Sequence, residues 1–341
     1  MESGNGTKAA AVFVQTNEAD ANRVVVFRRE GDGRLAQLES HLTGGRGDGT
    51  PHLTSQGSVV LSGDGAHLLV TNAGSDQLSV FAVDGDRLSL VEIVSTGGAA
   101  PKSVAEHDGL MYVLNAGSPS LAGFRLASGG AEALGGRELA PGADPAQVGF
   151  TPDGSQVVVT ERGTDSIARF PVNADGRLGD PTIAASSGAT PYGFAFAGGT
   201  LVVTEAFGAE KGKAAASSYR FGGADVEPVS RSVGNGRSEI CWAVVSNDGR
   251  YVFTTNFADG AVSRYAVGGD GTLTLEDAVA AVAVEGKAGL RDEGLTGDGR
   301  FLYAVDADAR RIFGWAVDGG RLSPVGSWEG VPETVAGLAA S

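Results

Sequence analysis

The sequence predicts an all-β fold: a seven-bladed β-propeller of four-stranded antiparallel blades. Three observations predict it. An apolar run ending in Asn, Asp or Glu returns seven times, each copy is followed by a run with one aromatic at a matching place, and 54 glycines are scattered along 341 residues instead of pooled in a linker. Glycines so dispersed mark many tight turns. The first run reads VFVQTN (12–17), LLVTN (68–72), MYVLN (111–115), VVVTE (157–161), LVVTE (201–205), YVFTTN (251–256) and FLYAVD (301–306). Each is short, rich in β-branched and aromatic residues and bounded by Gly, Asp or Ser, so each reads as a strand.

The second run carries Phe27, Phe81, Phe124, Phe170, Tyr219, Tyr265 and Trp315, one aromatic per unit. A third run follows a Gly-containing turn, as in RLAQL (34–38), RLSLV (87–91) and TLTLE (272–276). A fourth precedes the Asn-ended run and closes on Asp-Gly or a variant, as in SVVLSGDG (58–65), AQVGFTPDG (146–154) and CWAVVSNDG (241–249). The marks at residues 17, 72, 115, 161, 205, 256 and 306 lie 43 to 55 residues apart, too short for a domain and right for one four-stranded meander. Such a sheet has two apolar faces that it cannot cover alone, and radial stacking of the units covers both.

The chain ends support the same ring. The first unit lacks an innermost strand, and PETVAGLAAS (332–341) matches the start of PAQVGFTPDG (145–154), so the C-terminal residues are expected to complete the N-terminal blade. Residues 1–10 read as a disordered polar tail and 11–341 as one propeller domain.

Composition bounds the partners. A formal charge of −15 repels phosphate backbones and anionic bilayers, which argues against nucleic acid and membrane. The absence of a run near eighteen apolar residues argues against a spanning helix. One cysteine, Cys241, excludes an intramolecular disulfide and a cysteine zinc cluster. The expectations are a cytoplasmic monomer acting on a small molecule, with no cofactor required.

In a meander of this kind the innermost strand leaves the face where blades are joined and the next strand returns to it, so two residue sets meet at one channel mouth. Gly57, Lys102, Gln147, Tyr192, Cys241, Arg291 and Glu333 start inner strands, with Trp242 and Asp292 beside them; Asn17, Asn72, Asn115, Glu161, Glu205, Asn256 and Asp306 end the returning strands. Asn and Asp after a strand commonly close a turn. Glutamate is a poorer turn former, so Glu161 and Glu205 stand out as a carboxylate pair able to take a proton from water. Tyr192, Gln147, Lys102, Arg291, Trp242 and Asn256 are the accompanying binding groups. The same convergent oxygens could hold Ca²⁺. His67 and His107 fall on the opposite face, and His41 and His52 lie elsewhere, which leaves no histidine metal cluster. Cys241 reads as a small buried residue, and AFGAEKGKAAASSYRF (206–221) as a surface insertion or a lid carrying Lys211 and Lys213.

With its SPDG-like turns, V-x-V-T-N strands and S-V-F strands, clearest in AQVGFTPDGSQVVVTERGTDSIARF (146–170) and CWAVVSNDGRYVFTTNFADGAVSRY (241–265), the chain resembles the seven-bladed propeller lactonases, which include 6-phosphogluconolactonase-like proteins and carboxymuconate cyclases. The resemblance implies a site built on His and Arg at inner-strand starts and a Glu at a strand end. Glu205 matches that Glu, whereas Pro145-Ala146-Gln147 and Pro191-Tyr192-Gly193 replace the basic motifs. It therefore implies hydrolysis of a lactone less charged than a sugar phosphate, with a non-catalytic binding propeller or a cycloisomerase as alternatives.

Overall fold

The computed structural model describes residues 9–341 apart from 52, 54, 55, 128, 129, 223 and 224. Residues 1–8 of the expected tail, and His52, lie outside these described residues; the first strand begins at Ala10. Seven antiparallel sheets of four strands each are present among the described residues. Helical structure there is limited to the short 3₁₀ turns Phe207–Ala209 and Phe257–Asp259.

Blade 1 closes the ring. Its inner strand, Gly337–Ala340, pairs with Ala10–Gln15 through Val12↔Ala340 and Gln15↔Gly337, so both ends of the chain share one sheet. The inner strands of blades 2 to 7 are Val59–Leu61, Pro101–His107, Pro145–Phe150, Pro191–Ala197, Ile240–Val245 and Leu290–Leu295. The strands that return to the mouth are His67–Asn72, Leu110–Asn115, Gln156–Glu161, Thr200–Glu205, Tyr251–Asn256 and Phe301–Asp306, as the Asn-ended runs predict. In blade 1 the strand ends at Gln15, and Asn17 lies beyond it in the left-handed region, with φ 56°.

The seven aromatics explain how the units stack. Each is buried in an apolar cluster shared with the preceding blade. Phe27 packs with Tyr303 and Val305 of blade 7, Phe81 with Phe13 and Val26 of blade 1, and Phe124 with Leu69 and Val80 of blade 2. Phe170 packs with Tyr112 and Leu114, Tyr219 with Val158 and Ile167, Tyr265 with Val202 and Ala216, and Trp315 with Phe253 and Val262. One large ring per blade, always facing the same way around the axis, fills the wedge between adjacent sheets. Removing such a ring from a closed interface costs about 3–5 kcal/mol.

Candidate functional site

The mouth is shaped by a repeated irregularity. In blades 3 to 7 the ladder between the inner and returning strands slips at its start, between Pro101 and Ser103, Pro145 and Gln147, Pro191 and Phe194, Ile240 and Ala243, and Leu290 and Glu293. The residues released from pairing are Lys102, Ala146, Tyr192-Gly193, Cys241-Trp242 and Arg291-Asp292. A bulge frees its extra residue from the ladder and re-aims the side chain. This set is nearly the one that sequence reasoning placed at inner-strand starts.

The threonine of the V-x-V-T motif supports these slips. Thr160 donates its hydroxyl to the Tyr192 carbonyl (2.5 Å) and Thr204 to the Cys241 carbonyl (2.7 Å), while Thr255 accepts the Trp242 amide (3.3 Å). Gly193 allows the close approach: a Cβ there would come within 2.5 Å of the Cys241 carbonyl oxygen and 2.7 Å of Gln56 Oε1.

Around the mouth these residues form a continuous arc. The Lys102 ammonium is coupled electrostatically to Arg162, which repels its charge, and to Asp144 and Asp48, which favour it. Burial is the largest influence and, with Arg162, brings the lysine down to about 8 against the two carboxylates. Arg162 pairs with Asp144 (2.7 Å) and lies over the Tyr192 ring, 5.0 Å from its centroid. The Tyr192 and Trp242 rings are 4.9 Å apart, and Phe257 packs against the same small cluster. Phe257 in turn carries the Arg291 guanidinium at 4.9 Å from its centroid.

Arg291 is only 4% exposed, and burial pulls it down to about 10 against the opposing influence of Asp308 and Asp306. Its Nε and Nη1, and Nε1 of the buried Trp242, find no acceptor among the described residues. Cys241 is buried, its thiol pushed up to about 12 by burial first and Glu239 second, in keeping with an inert role.

The second expected ring has a different geometry. Five of the seven strand-end side chains turn into their own blade toward a serine of the third strand, whereas Asn17 bonds Asp48 and Asp306 accepts from the Ala309 amide. Asn72 Nδ2 donates to Ser79 (2.8 Å), Asn115 Nδ2 to Ser120 (3.3 Å) and Asn256 Nδ2 to Ser263 (2.9 Å). Glu161 accepts from Ser166 (2.8 Å) and Glu205 from Ser217 (2.5 Å). Glu205 also accepts from the Gly188 amide (2.8 Å) and Ser232 (2.7 Å), and Glu161 from Thr164 (3.0 Å). Burial raises Glu205, and its hydrogen bonds oppose the rise. The two glutamates share one rim, as expected, but each carboxylate braces its own blade, so they do not form a pair over the channel. Most of the oxygens proposed for Ca²⁺ are committed within their blades in the same way, and among the described residues no three His, Cys, Asp or Glu side chains are placed to hold a metal ion.

Two expected binding amides are likewise committed. Asn256 is fully buried and bonded to Ala261, Ser263 and Asn235. Gln147 clasps Phe194, donating to its carbonyl (3.1 Å) and accepting its amide (2.6 Å), and so ties blade 4 to blade 5. Gln56, which the sequence did not single out, does the same across the channel to Ala243 (2.8 and 3.1 Å). Beyond this cross-piece the channel continues as a cavity of about 350 Å³ lined by Glu106, Asp292 and Glu293 among others. The second part of the segment expected to form an insertion or lid belongs to the strand Ala215–Gly222; the nine residues before it are fastened by Phe207 to Ala189 and by Ala214 to Arg237. A larger concavity of about 760 Å³ lies over the outer strands of blade 3, and none of the residues released by the slips lines it.

Asp292 makes a separate prediction. Burial lifts its carboxyl from 3.8 to about 8, so the native state holds a proton that the unfolded chain has released. That stabilisation is complete below the unfolded value and is lost as pH rises toward 8. Glu293 is shifted in the same direction. Urea unfolding is expected to give a stability that falls between pH 5 and 8, with a shallower fall in Asp292→Asn.

The profile of the family described as "Lactonase, 7-bladed beta-propeller" matches residues 10–131, 131–206 and 206–334. The chain belongs to the seven-bladed β-propeller lactonase family. Solved structures similar to this lactonase-family chain include a Bacteroides fragilis protein assigned provisionally as a 6-phosphogluconolactonase (19% identity, 100% of both chains, TM-score 0.77). Another is the Pseudomonas aeruginosa periplasmic gluconolactonase PpgL (19% identity, 97% of this chain and 98% of that one, TM-score 0.71). A third is a Lactobacillus plantarum protein (17% identity, 98% and 100%, TM-score 0.75). At such identities the likeness establishes the fold. No curated protein matches the sequence.

Proposed function

We propose that this lactonase-family propeller opens a small, oxygen-rich lactone by attack of water at the bulged mouth. The observation that carries the reading is the trio of buried donors, Trp242 Nε1 and Arg291 Nε and Nη1, left without acceptors beside an aromatic floor. An unmet buried donor costs about 1–3 kcal/mol, more when charged, and a ligand bearing carbonyl, hydroxyl or acid oxygens relieves that cost. Tyr192, Trp242 and Phe257 supply apolar surface for a sugar-like ring. Arg162, whose side chain is 16% exposed, supplies the contact nearest solvent. The sequence pointed to a weakly charged substrate because the basic motifs at 145–147 and 191–193 are missing; Arg162, Arg291 and Lys102 provide three cations from other positions, and an acidic sugar lactone fits them. The names of the Bacteroides and Pseudomonas proteins point the same way.

The test is a lactone panel, including glucono-δ-lactone, its 6-phosphate and γ-butyrolactone, read as acid release above the spontaneous rate. Turnover is expected with an oxygen-rich member. Arg291→Gln is expected to raise KM about 10-fold or more, the worth of one charged hydrogen bond. Absence of turnover across the panel, or an unchanged KM in Arg291→Gln, would contradict the assignment.

A further inference from the structure

Most ties between inner strands join blades that are neighbours in the ring. Thr160 of blade 4 reaches Tyr192 of blade 5, and Gln147 makes the same step to Phe194. Gln56 differs, because it precedes the inner strand of blade 2 and its side chain joins Ala243 of blade 6. Its Nε2 donates to the Ala243 carbonyl (2.8 Å) and its Oε1 accepts the Ala243 amide (3.1 Å). Its own carbonyl accepts the Ser103 hydroxyl of blade 3 (2.7 Å), and the same Ser103 oxygen accepts the Val148 amide of blade 4 (3.2 Å). A Cβ on Gly193 of blade 5 would come within 2.7 Å of Oε1. The side chain is therefore a bar across the channel, anchored at both ends. Directly on one side of it is Trp242, the residue before Ala243. On the other side is the cavity of about 350 Å³, lined by Gln56 itself, Val104, Leu338, Asp292 and Glu293 among others.

We infer that Gln56 is the depth stop of the site, the residue that confines its substrates to lactones ending at the mouth; the inference rests on the lactonase reading above. Swinging the bar aside would strand both the amide and the carbonyl of Ala243, and a buried backbone group left unmet is costly. Gln56 therefore stays in place when a ligand arrives. A single-ring lactone meets Tyr192, Trp242 and Arg291 without passing it. A lactone that carries a second sugar ring needs the space beyond, and that space is already present behind Gln56. Its wall includes Glu293, whose two carboxyl oxygens find no partner among the described residues and can accept from sugar hydroxyls. One side chain thus decides whether mouth and channel act as one pocket or two.

Two measurements test this. The first is the crystal structure of Gln56→Ala, in which an open passage from Trp242 to the cavity is expected. A mouth still closed off by other side chains would overturn the inference. The second is the ratio of kcat/KM for an extended lactone to that for glucono-δ-lactone, a ratio from which the amount of folded enzyme cancels. The extended probes are lactobiono-δ-lactone and melibiono-δ-lactone, which carry galactose at two different oxygens of the same gluconate unit. In Gln56→Ala the ratio is expected to rise about 10-fold or more for at least one of them, the scale on which pocket size separates substrates. Gln56→Met keeps length and bulk without the hydrogen bonds, and is expected to keep the wild-type ratio. Should Gln56→Ala not accumulate as folded protein, Gln56→Asn, one methylene shorter, takes its place with the same expected direction. Turnover of glucono-δ-lactone with unchanged ratios, or an equal rise in Gln56→Met, would overturn the depth stop while the lactonase reading survived. Absence of turnover of every lactone by both wild type and Gln56→Ala would sink the lactonase reading, and the role of Gln56 in it, whatever passage the crystal shows.

Discussion

Removal of residues 331–341 is expected to lower the thermal unfolding midpoint of the entire chain by about 10 °C or more, or to prevent folding. Val331, Val335 and Leu338 are buried in the cluster that joins blades 7 and 1, at 5%, 0% and 3% exposure. The inner strand Gly337–Ala340 is also the hydrogen-bonded neighbour of Val12 to Gln15. Each buried aliphatic side chain contributes about 1.5–3 kcal/mol. Three of them, with a ladder lost, approach the ~5–15 kcal/mol by which a folded protein is stable at all. The truncation also leaves Val12 and Val14 on an open edge, the kind of edge that pairs with other chains. A midpoint within a few degrees of the full chain would show that ring closure contributes little.

The second large effect concerns Glu205. Glu205→Ala removes the acceptor for the Gly188 amide and the Ser217 and Ser232 hydroxyls. Leaving these donors unmet in a buried site is expected to cost about 2–4 kcal/mol of stability, measured by urea unfolding, while lactone turnover per folded molecule persists. Glu205→Gln retains the side-chain shape and is expected to lose less stability and keep activity. The opposite pattern, normal stability with abolished turnover in Glu205→Gln, would make the carboxylate the base and return it to the role that its strand-end position first implied.

The architecture was legible because every blade repeats the same local choices. A strand-period apolar run, one wedge-filling aromatic such as Phe170 or Trp315, and a Gly turn each have a purely local signature, and the match of 332–341 to an inner strand placed the closure. The site was legible only in part. Lys102, Tyr192, Trp242 and Arg291 were placed at the mouth, as candidates, because inner-strand starts must meet there whatever the ladder does in detail.

Arg162 was missed because it follows the strand-end Glu161 in a turn, and its position over Tyr192 depends on the neighbouring blade. Gln56 was missed because its partner Ala243 is 187 residues away. The outward direction of Glu161 had a readable cue in Ser166, five residues on, matching Asn115 and Ser120. For Glu205 the cue was hidden, because the longer loop moves its serine to twelve residues away.

The claim on which the functional account rests is that the bulged inner-strand starts are where the ring opens. A crystal soaked in the hydroxy acid produced by the panel's best lactone tests it most directly. The account predicts product density over Tyr192, Trp242 and Phe257, with its oxygens on Arg291, Trp242 Nε1 and Arg162. Density confined to the outer groove of blade 3 or to the channel beyond Gln56, with the mouth unchanged, would contradict it.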